Sequence, residues 1–437
     1  MTQIPESSPA INRTVLWRPV VGLAGLQGAI SLAWLLYRFY LPQLLATVGL
    51  PGADRLVLIL EDGLAALLEP TIGGLSDRAR LRVGSRYPFV VAGVVLAVLM
   101  FGVMVAAVLG RGAIVQTLLL ISLVLWAVAM AVFRSPAIAL LGQYASQHHL
   151  PQANSLLVLM SGVVGAVAPL ARDRILAAGP AYAFGLGSLV LIGAAAVLRL
   201  AGPDRVLGAS AVAETVASPI RWDKVIRLFG LGAAVGWGLR LFFGIVPAAV
   251  QAQLPTVAGP IVGLGLGLTV AVLAVLLGAV AGRVGNGRLM LAGAIALAFG
   301  LPLLTLVKAG AIAWPLILLV AAAWAGLFNG GIPLAIELMP DRVGLGIGCF
   351  FGGFSAANAL LSTIGLSLQS WNTFASFAIV ALWLIAPTAS VQPIEPPNLE
   401  VDADPAALQQ TLDDLARETE ALTREAETLT KDDDPRD

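Results

Sequence analysis

The 437-residue chain is 58% hydrophobic and only 12% charged, with 26 Lys and Arg balancing 26 Asp and Glu. A water-soluble domain carries about 25% charged residues, so this composition excludes one, and the balanced charge gives no basis for nucleic-acid binding. One cysteine, Cys349, and two histidines, His148 and His149, exclude a disulfide framework and a cysteine metal cluster.

The apolar stretches are continuous and rich in Leu, Ala, Val and Gly, without the two-residue alternation of barrel strands. They therefore predict an all-α membrane protein. Residues 1–18 form a polar start with no apolar run ending in a small-residue cleavage site, so no removable signal peptide is expected. The first predicted span, 19–45, contains WLLYRFYLP with Arg38. The second, 55–76, carries Glu61, Asp62 and Glu69-Pro70. A loop rich in Gly and Arg follows, holding Gly73, Gly74, Asp77, Arg78, Gly84 and Arg86.

Spans three and four, 87–109 and 113–142, are apolar except for Arg134-Ser135-Pro136; spans five and six, 152–171 and 181–200, complete a first set of six. A polar linker, 201–224, separates it from a second set. Its spans are 225–250 with Arg240, 257–281, 288–307, 312–338, 344–367 with the glycine-rich start Gly344-Leu345-Gly346-Ile347-Gly348, and 371–388. From Ala389 to Asp437 the chain holds fourteen acids and four bases, and Leu408, Leu412, Leu415 and Leu422 form a heptad seam that predicts a short amphipathic helix.

The two sets, 19–200 and 225–388, echo one another. WLLYRFYLP in span one matches WGLRLFFGIVP in span seven; WAVAMAVFRSP in span four matches WAGLFNGGIP in span ten; the loop after span two has a shorter echo in GAVAGRVGNGR after span eight. The expected fold is two pseudo-symmetric six-helix bundles, the build of many secondary transporters. Loops on the N-terminal side of the membrane hold fourteen Lys and Arg against five on the other. The bias predicts cytoplasmic N- and C-termini, in a bacterial inner membrane or its equivalent.

Gly73-Gly74-Leu75-Ser76-Asp77-Arg78, completed by Gly84-Ser85-Arg86, resembles the loop signature of the major facilitator superfamily. Four extra residues separate the halves of the motif, and the ending Arg86 to Phe89 is similar to the sugar-cation symporter and sucrose-transporter branch and to the bacteriochlorophyll-delivery branch. The resemblance implies a twelve-helix fold and a loop that latches the cytoplasmic side in one state. On the residues themselves, Gly73 and Gly74 allow close helix approach. The start of span eleven is the natural mate, and Asp77 would face its positive N-terminus. The arginines from Arg78 to Arg86 would lie at anionic headgroups.

Ionisable groups inside spans cost about 2.5–3.5 kcal/mol each on insertion scales and so need partners or a role. Counting residues along the spans puts Arg38 level with Glu61 and Asp62, and Glu69 level with Arg134. Two ion pairs are expected, one in each leaflet, and the second, beside two prolines, suits gating or proton coupling. Arg240 has no acid in its own set to meet it. It calls for an anionic ligand or a partner across the cavity such as Glu61 or Asp62. With Arg38 it looks like the arginine pair of organophosphate and organic-anion exchangers of the superfamily.

No phosphate-binding loop, HExxH or GxSxG occurs, so no enzyme, cofactor or metal is expected. The expected function is a secondary active transporter moving a small solute by alternating access, coupled to H+ or Na+, and working as a monomer in the lipid bilayer. The alternative is a non-transport membrane protein that delivers or shields a chlorophyll-type pigment. It requires an apolar lateral groove with an axial ligand.

Overall fold

The computed structural model describes residues 15–110, 112–202, 220–307, 310 and 312–364. The predicted twelfth span, most of the linker and the acidic tail lie outside the described residues. Helices α1 (Trp17–Thr47), α2 (Asp54–Val83), α3 (Tyr87–Leu109), α4 (Ala113–Ile138), a one-turn α5 (Leu141–Tyr144), α6 (Leu150–Ala178) and α7 (Pro180–Ala201) make the first set. The second set comprises α8 (Trp222–Gln253), α9 (Gly259–Val284), α10 (Asn286–Leu306), α11 (Ala313–Leu338) and α12 (Val343–Ile364).

Each of the first eleven predicted spans has its helix, and the fourth is broken into α4 and α5 just after Pro136. Ten of the described helices are long and apolar enough to cross a membrane. Helix α2 is long enough, but Glu61, Asp62 and Glu69 take it out of that set. The chain is a multi-pass integral membrane protein.

The main correction concerns α2. The apolar run stops near residue 76, where the expected span ended, but the helix continues to Val83. Hydrocarbon thickness limits the apolar length of a helix, not the helix itself, and no breaking residue intervenes. It ends only at Gly84, which adopts φ +77°, the left-handed conformation that glycine takes without strain at a helix C-terminus. Gly73, Gly74, Asp77 and Arg78 are therefore helical, and the connection to α3 is the three residues Gly84-Ser85-Arg86.

Each half is centred on an aromatic stack that joins its first helix to its fourth. Trp126 of α4 stacks on Tyr37 of α1 with ring centroids 4.3 Å apart, and on Phe101 at 5.1 Å. Trp324 of α11 stacks on Phe242 of α8 at 5.2 Å. The tryptophans are those of the matched WAVAMAVFRSP and WAGLFNGGIP segments, so the internal echo in sequence is an echo in packing.

The halves meet along two seams, α2 on α12 and α6 on α9. Both are lined by small residues, which let backbones approach where lipid offers no hydrophobic drive to bring helices together. On the second seam a Cβ at Gly162 would lie 2.7 Å from the Cβ of Ala271, whereas a Cβ at Gly165, one turn on, meets nothing within 4 Å. Gly162→Ala is therefore expected to lower the melting temperature of the detergent-solubilised protein, at an overpacking cost of about 1–3 kcal/mol. Gly165→Ala is expected to leave it unchanged or raise it slightly, because Ala is the better helix former by about 1 kcal/mol.

Candidate functional site

Most of the charged candidates from the sequence gather into three groups, all built on α2. The first lies at the end of the bundle where α2 runs past the membrane-length limit. Asp77 is buried. Its Oδ1 accepts from the backbone N–H of Gly344 at 2.9 Å and its Oδ2 from that of Leu345 at 2.8 Å. These are two of the otherwise unsatisfied donors at the N-terminus of α12, so a carboxylate from the first half caps a helix of the second.

Arg86 donates to the same Oδ1 at 2.6 Å and is itself only 2% exposed. This corrects the expected placement of Arg86 at lipid headgroups: it is inside, neutralising Asp77, while Arg78 remains exposed. The two adjacent glycines also differ. A Cβ at Gly73 would sit 2.1 Å from the carbonyl oxygen of Gly344, whereas one at Gly74 meets only a Leu345 methyl at 3.7 Å. Gly73 is thus the contact that the helices need.

Two turns before Asp77, Glu69 is fully buried. It accepts from Arg134 Nε at 2.8 Å and Nη2 at 2.5 Å, and from the Ser135 hydroxyl on its other oxygen. The Arg134 guanidinium lies 4.4 Å from the ring centre of Phe351 on α12. The group therefore ties α2 to α4 and touches the second half.

The third group departs from the expected ion pair. Glu61, 4% exposed, accepts a hydrogen bond from the Tyr37 hydroxyl and makes no salt bridge with Arg38. Consecutive helical residues point about 100° apart. Tyr37 faces Glu61 inside the first half, while Arg38 turns outward, its guanidinium 5.6 Å from the ring centre of Trp34. Asp62 is turned away from Glu61 by the same step. It lies within electrostatic reach of Arg38 on α1, Arg134 on α4 and Arg240 on α8.

Arg240 donates to the hydroxyl of Ser362 on α12, and Arg55 Nε donates to the backbone carbonyl of the same residue at 2.8 Å. Arg38 and Arg240, one from each half, thus both lie within electrostatic reach of Asp62, though neither makes a salt bridge with it. Among the described residues no cluster of His, Cys, Asp and Glu could hold a metal ion.

The sequence reading missed Asn154 and Asn329. The Asn154 amide donates to the Asn329 carbonyl at 2.8 Å, and the Asn329 amide donates to the Pro151 carbonyl at 2.9 Å. Both residues are buried, and they lock α6 to α11 across the halves at the Asp77 end. The available signal was an amide in each of two otherwise apolar spans. Two other amides within the spans bond locally or within one half: Gln27 donates to Ser161, and Asn358 to the carbonyl of Phe354 on its own helix.

No protein-family model matches the sequence, and no curated protein sequence does. Solved structures do match. The major facilitator superfamily transporter FucP in its outward conformation superposes with a TM-score of 0.62 over 84% of this chain and 98% of its own, at 13% identity. The human organic anion transporter MFSD10 gives 0.58 over 89% and 100%, at 16% identity. A bacterial homologue of the iron transporter ferroportin, in an outward-facing state, gives 0.59 over 85% and 99%, at 18% identity. The chain has the major facilitator fold.

Removing one member of a buried ion pair strands the other, at about 3–5 kcal/mol. Glu69→Gln and Arg134→Gln are each expected to depress the melting temperature strongly. The double substitution should be distinctly more stable than the sum of the two losses implies, because no uncompensated charge remains. Thermal unfolding of the four proteins in one detergent checks this; additive losses would show that the pair is not coupled.

Proposed function

We propose that this protein is a secondary active transporter that moves a small anionic solute across the membrane by alternating access. The observation that carries the reading is that Arg38 and Arg240, from the first helix of each half, are both exposed and both lie within electrostatic reach of Asp62. In folds built from two repeated bundles, substrate sites lie near mid-membrane between the bundles. A guanidinium keeps its charge when partly desolvated and can hold a carboxylate or phosphate with two parallel bonds. Arg38 and Arg240 are both exposed and make no salt bridge among the described residues, so both are available to a ligand entering between the halves.

Asp62 is then the counter-charge that a substrate anion must displace, and its protonation offers a route to H+ coupling. The fold neighbours include a fucose:proton symporter and an organic anion transporter, which supports both elements of the reading.

The basic loops put the Asp77 end in the cytoplasm. With that orientation the cytoplasmic side is shut, by Asp77 on the α12 N-terminus and by Asn154 on Asn329. The pigment reading has less support. An apolar lateral groove exists between α1, α6 and α7, but His148 and His149 precede α6, at the opposite end of that helix, and no histidine lines the groove.

Purified protein in proteoliposomes, given a panel of radiolabelled carboxylates, organophosphates and neutral sugars, is expected to accumulate one of the anions. For the anion found, Arg240→Gln is expected to abolish the ligand-induced rise in melting temperature, while Arg240→Lys keeps a reduced rise. An unchanged rise in Arg240→Gln would remove Arg240 from the site and leave it as a structural partner of Ser362.

A further inference from the structure

On the side away from Asp77, α6 and α7 leave the Gly179 turn and diverge; both pack on α1 more than on each other. Between them a cavity of about 350 Å³ opens sideways. Leu32 and Leu36 of α1 form its floor, and α6 and α7 form its walls. Val167, Leu170 and Leu186, on those walls, are each more than two-fifths exposed, and α7 packs mainly on α1 and α3 of its own half, so the cavity faces the bilayer rather than the space between the halves.

Its chemistry is uneven along its length. The deep part, from Leu32 to Val167 and Leu186, is entirely aliphatic. The only polar side chains in the lining are Arg174 and Tyr182, which lie near the turn. From Val167 to Ala178 is eleven helical residues, about 16 Å at 1.5 Å per residue, close to half of a hydrocarbon core of about 30 Å. The groove is therefore about one leaflet deep. Arg174 sits at a level from which its side chain can reach the interface, and Tyr182 is the kind of aromatic that anchors there. Among the described residues Arg174 makes no hydrogen bond or ion pair. The neighbouring Arg172 is instead placed 5.8 Å from the ring centre of Phe39.

We propose that this groove is a binding site for one anionic phospholipid of that leaflet, with an acyl chain along the aliphatic floor and the phosphate at Arg174. The charge fits an anionic headgroup, the depth fits one acyl chain, and the site is separate from the charged groups between the halves. The proposal is therefore independent of what the protein transports.

The test uses the full chain purified in mild detergent from membranes containing phosphatidylglycerol, washed in lipid-free detergent, and extracted for mass spectrometry. About one phosphatidylglycerol per chain is expected to survive the wash. Ala171→Trp, which fills the groove, is expected to lose it. Arg174→Gln is expected to bind about fivefold more weakly, the fold-change of one basic residue at an anionic surface (about 1 kcal/mol), and Arg174→Lys should retain most of the lipid.

Arg174 is exposed, so its substitution leaves folding intact. A second readout is the melting temperature of delipidated protein on adding phosphatidylglycerol or phosphatidylcholine. Wild type should respond to the first more than to the second, and Arg174→Gln to both equally. The proposal is overturned by equal retention of lipid in Ala171→Trp, by equal response of wild type to both lipids, or by recovery of a pigment or other uncharged hydrophobe in place of phospholipid.

Discussion

The close crossing of α2 and α12 sets the positions of Asp77 and Glu69. The glycine stripe Gly344, Gly348 and Gly352 presents no side chains to α2, and the carbonyls of Gly73, Glu69 and Ala66 occupy that space. A Cβ would lie 2.5 Å from the first of these carbonyl oxygens, 2.2 Å from the second and 2.8 Å from the third. Any larger residue would push the helices apart. With them apart, Asp77 could not reach the α12 N-terminus, and Glu69 would face an open groove rather than a sealed contact. The stripe repeats every four residues, which keeps it on one face of the helix.

Lipid gives an ionised carboxylate no partner, so α2 must find one in protein for each acid beyond its first turn. It does so by sending them in different directions. Glu61 goes inward to Tyr37, Glu69 to Arg134 and Ser135, and Asp77 to Arg86 and a helix N-terminus. Asp62, in contrast, makes no direct bond among the described residues and is answered by charge at a distance, from arginines of α1, α4 and α8. Glu61 and Asp62 are adjacent in sequence, yet one is bonded within a single half and the other lies within electrostatic reach of arginines from both. A helix whose neighbouring residues point about 100° apart can hold two acids with such different surroundings side by side.

Much of this was legible in the sequence because depth in a membrane is a one-dimensional quantity. Counting at 1.5 Å per residue from span ends puts Glu69 and Arg134 at one level, and the structure bonds them. The same count puts Arg38 level with Glu61, and there it misleads: depth says nothing about which way around the helix a side chain points. The end of α2 was misplaced for a related reason, since the apolar run reports where lipid stops rather than where the backbone turns. Gly84, already part of the motif, carried the correct signal. The Asn154–Asn329 contact was illegible because it joins residues 175 apart in sequence, one amide on each helix, and a single amide in an apolar span reads as neighbour packing. The repeat showed itself through Trp126 and Trp324, whose large rings leave few alternative packings.

The two ends of the α2–α12 seam are held by unequal means. At one end buried backbone meets buried backbone, and the carboxylate of Asp77 bonds two N–H groups out of water. At the other, Arg55 reaches Ser362 with an exposed side chain. An exposed charged contact is screened and must also order a long side chain, so it contributes little, whereas buried charge-assisted hydrogen bonds are about twice as strong as neutral ones. The seam is therefore weaker at the Ser362 end. Arg240 bonds the hydroxyl of the same Ser362 while its charge acts on Asp62. The looser closure of the seam and an exposed arginine of the second half thus meet at one residue of α12, and an anion that drew Arg240 off Ser362 would act directly on the end of the seam that is easier to open.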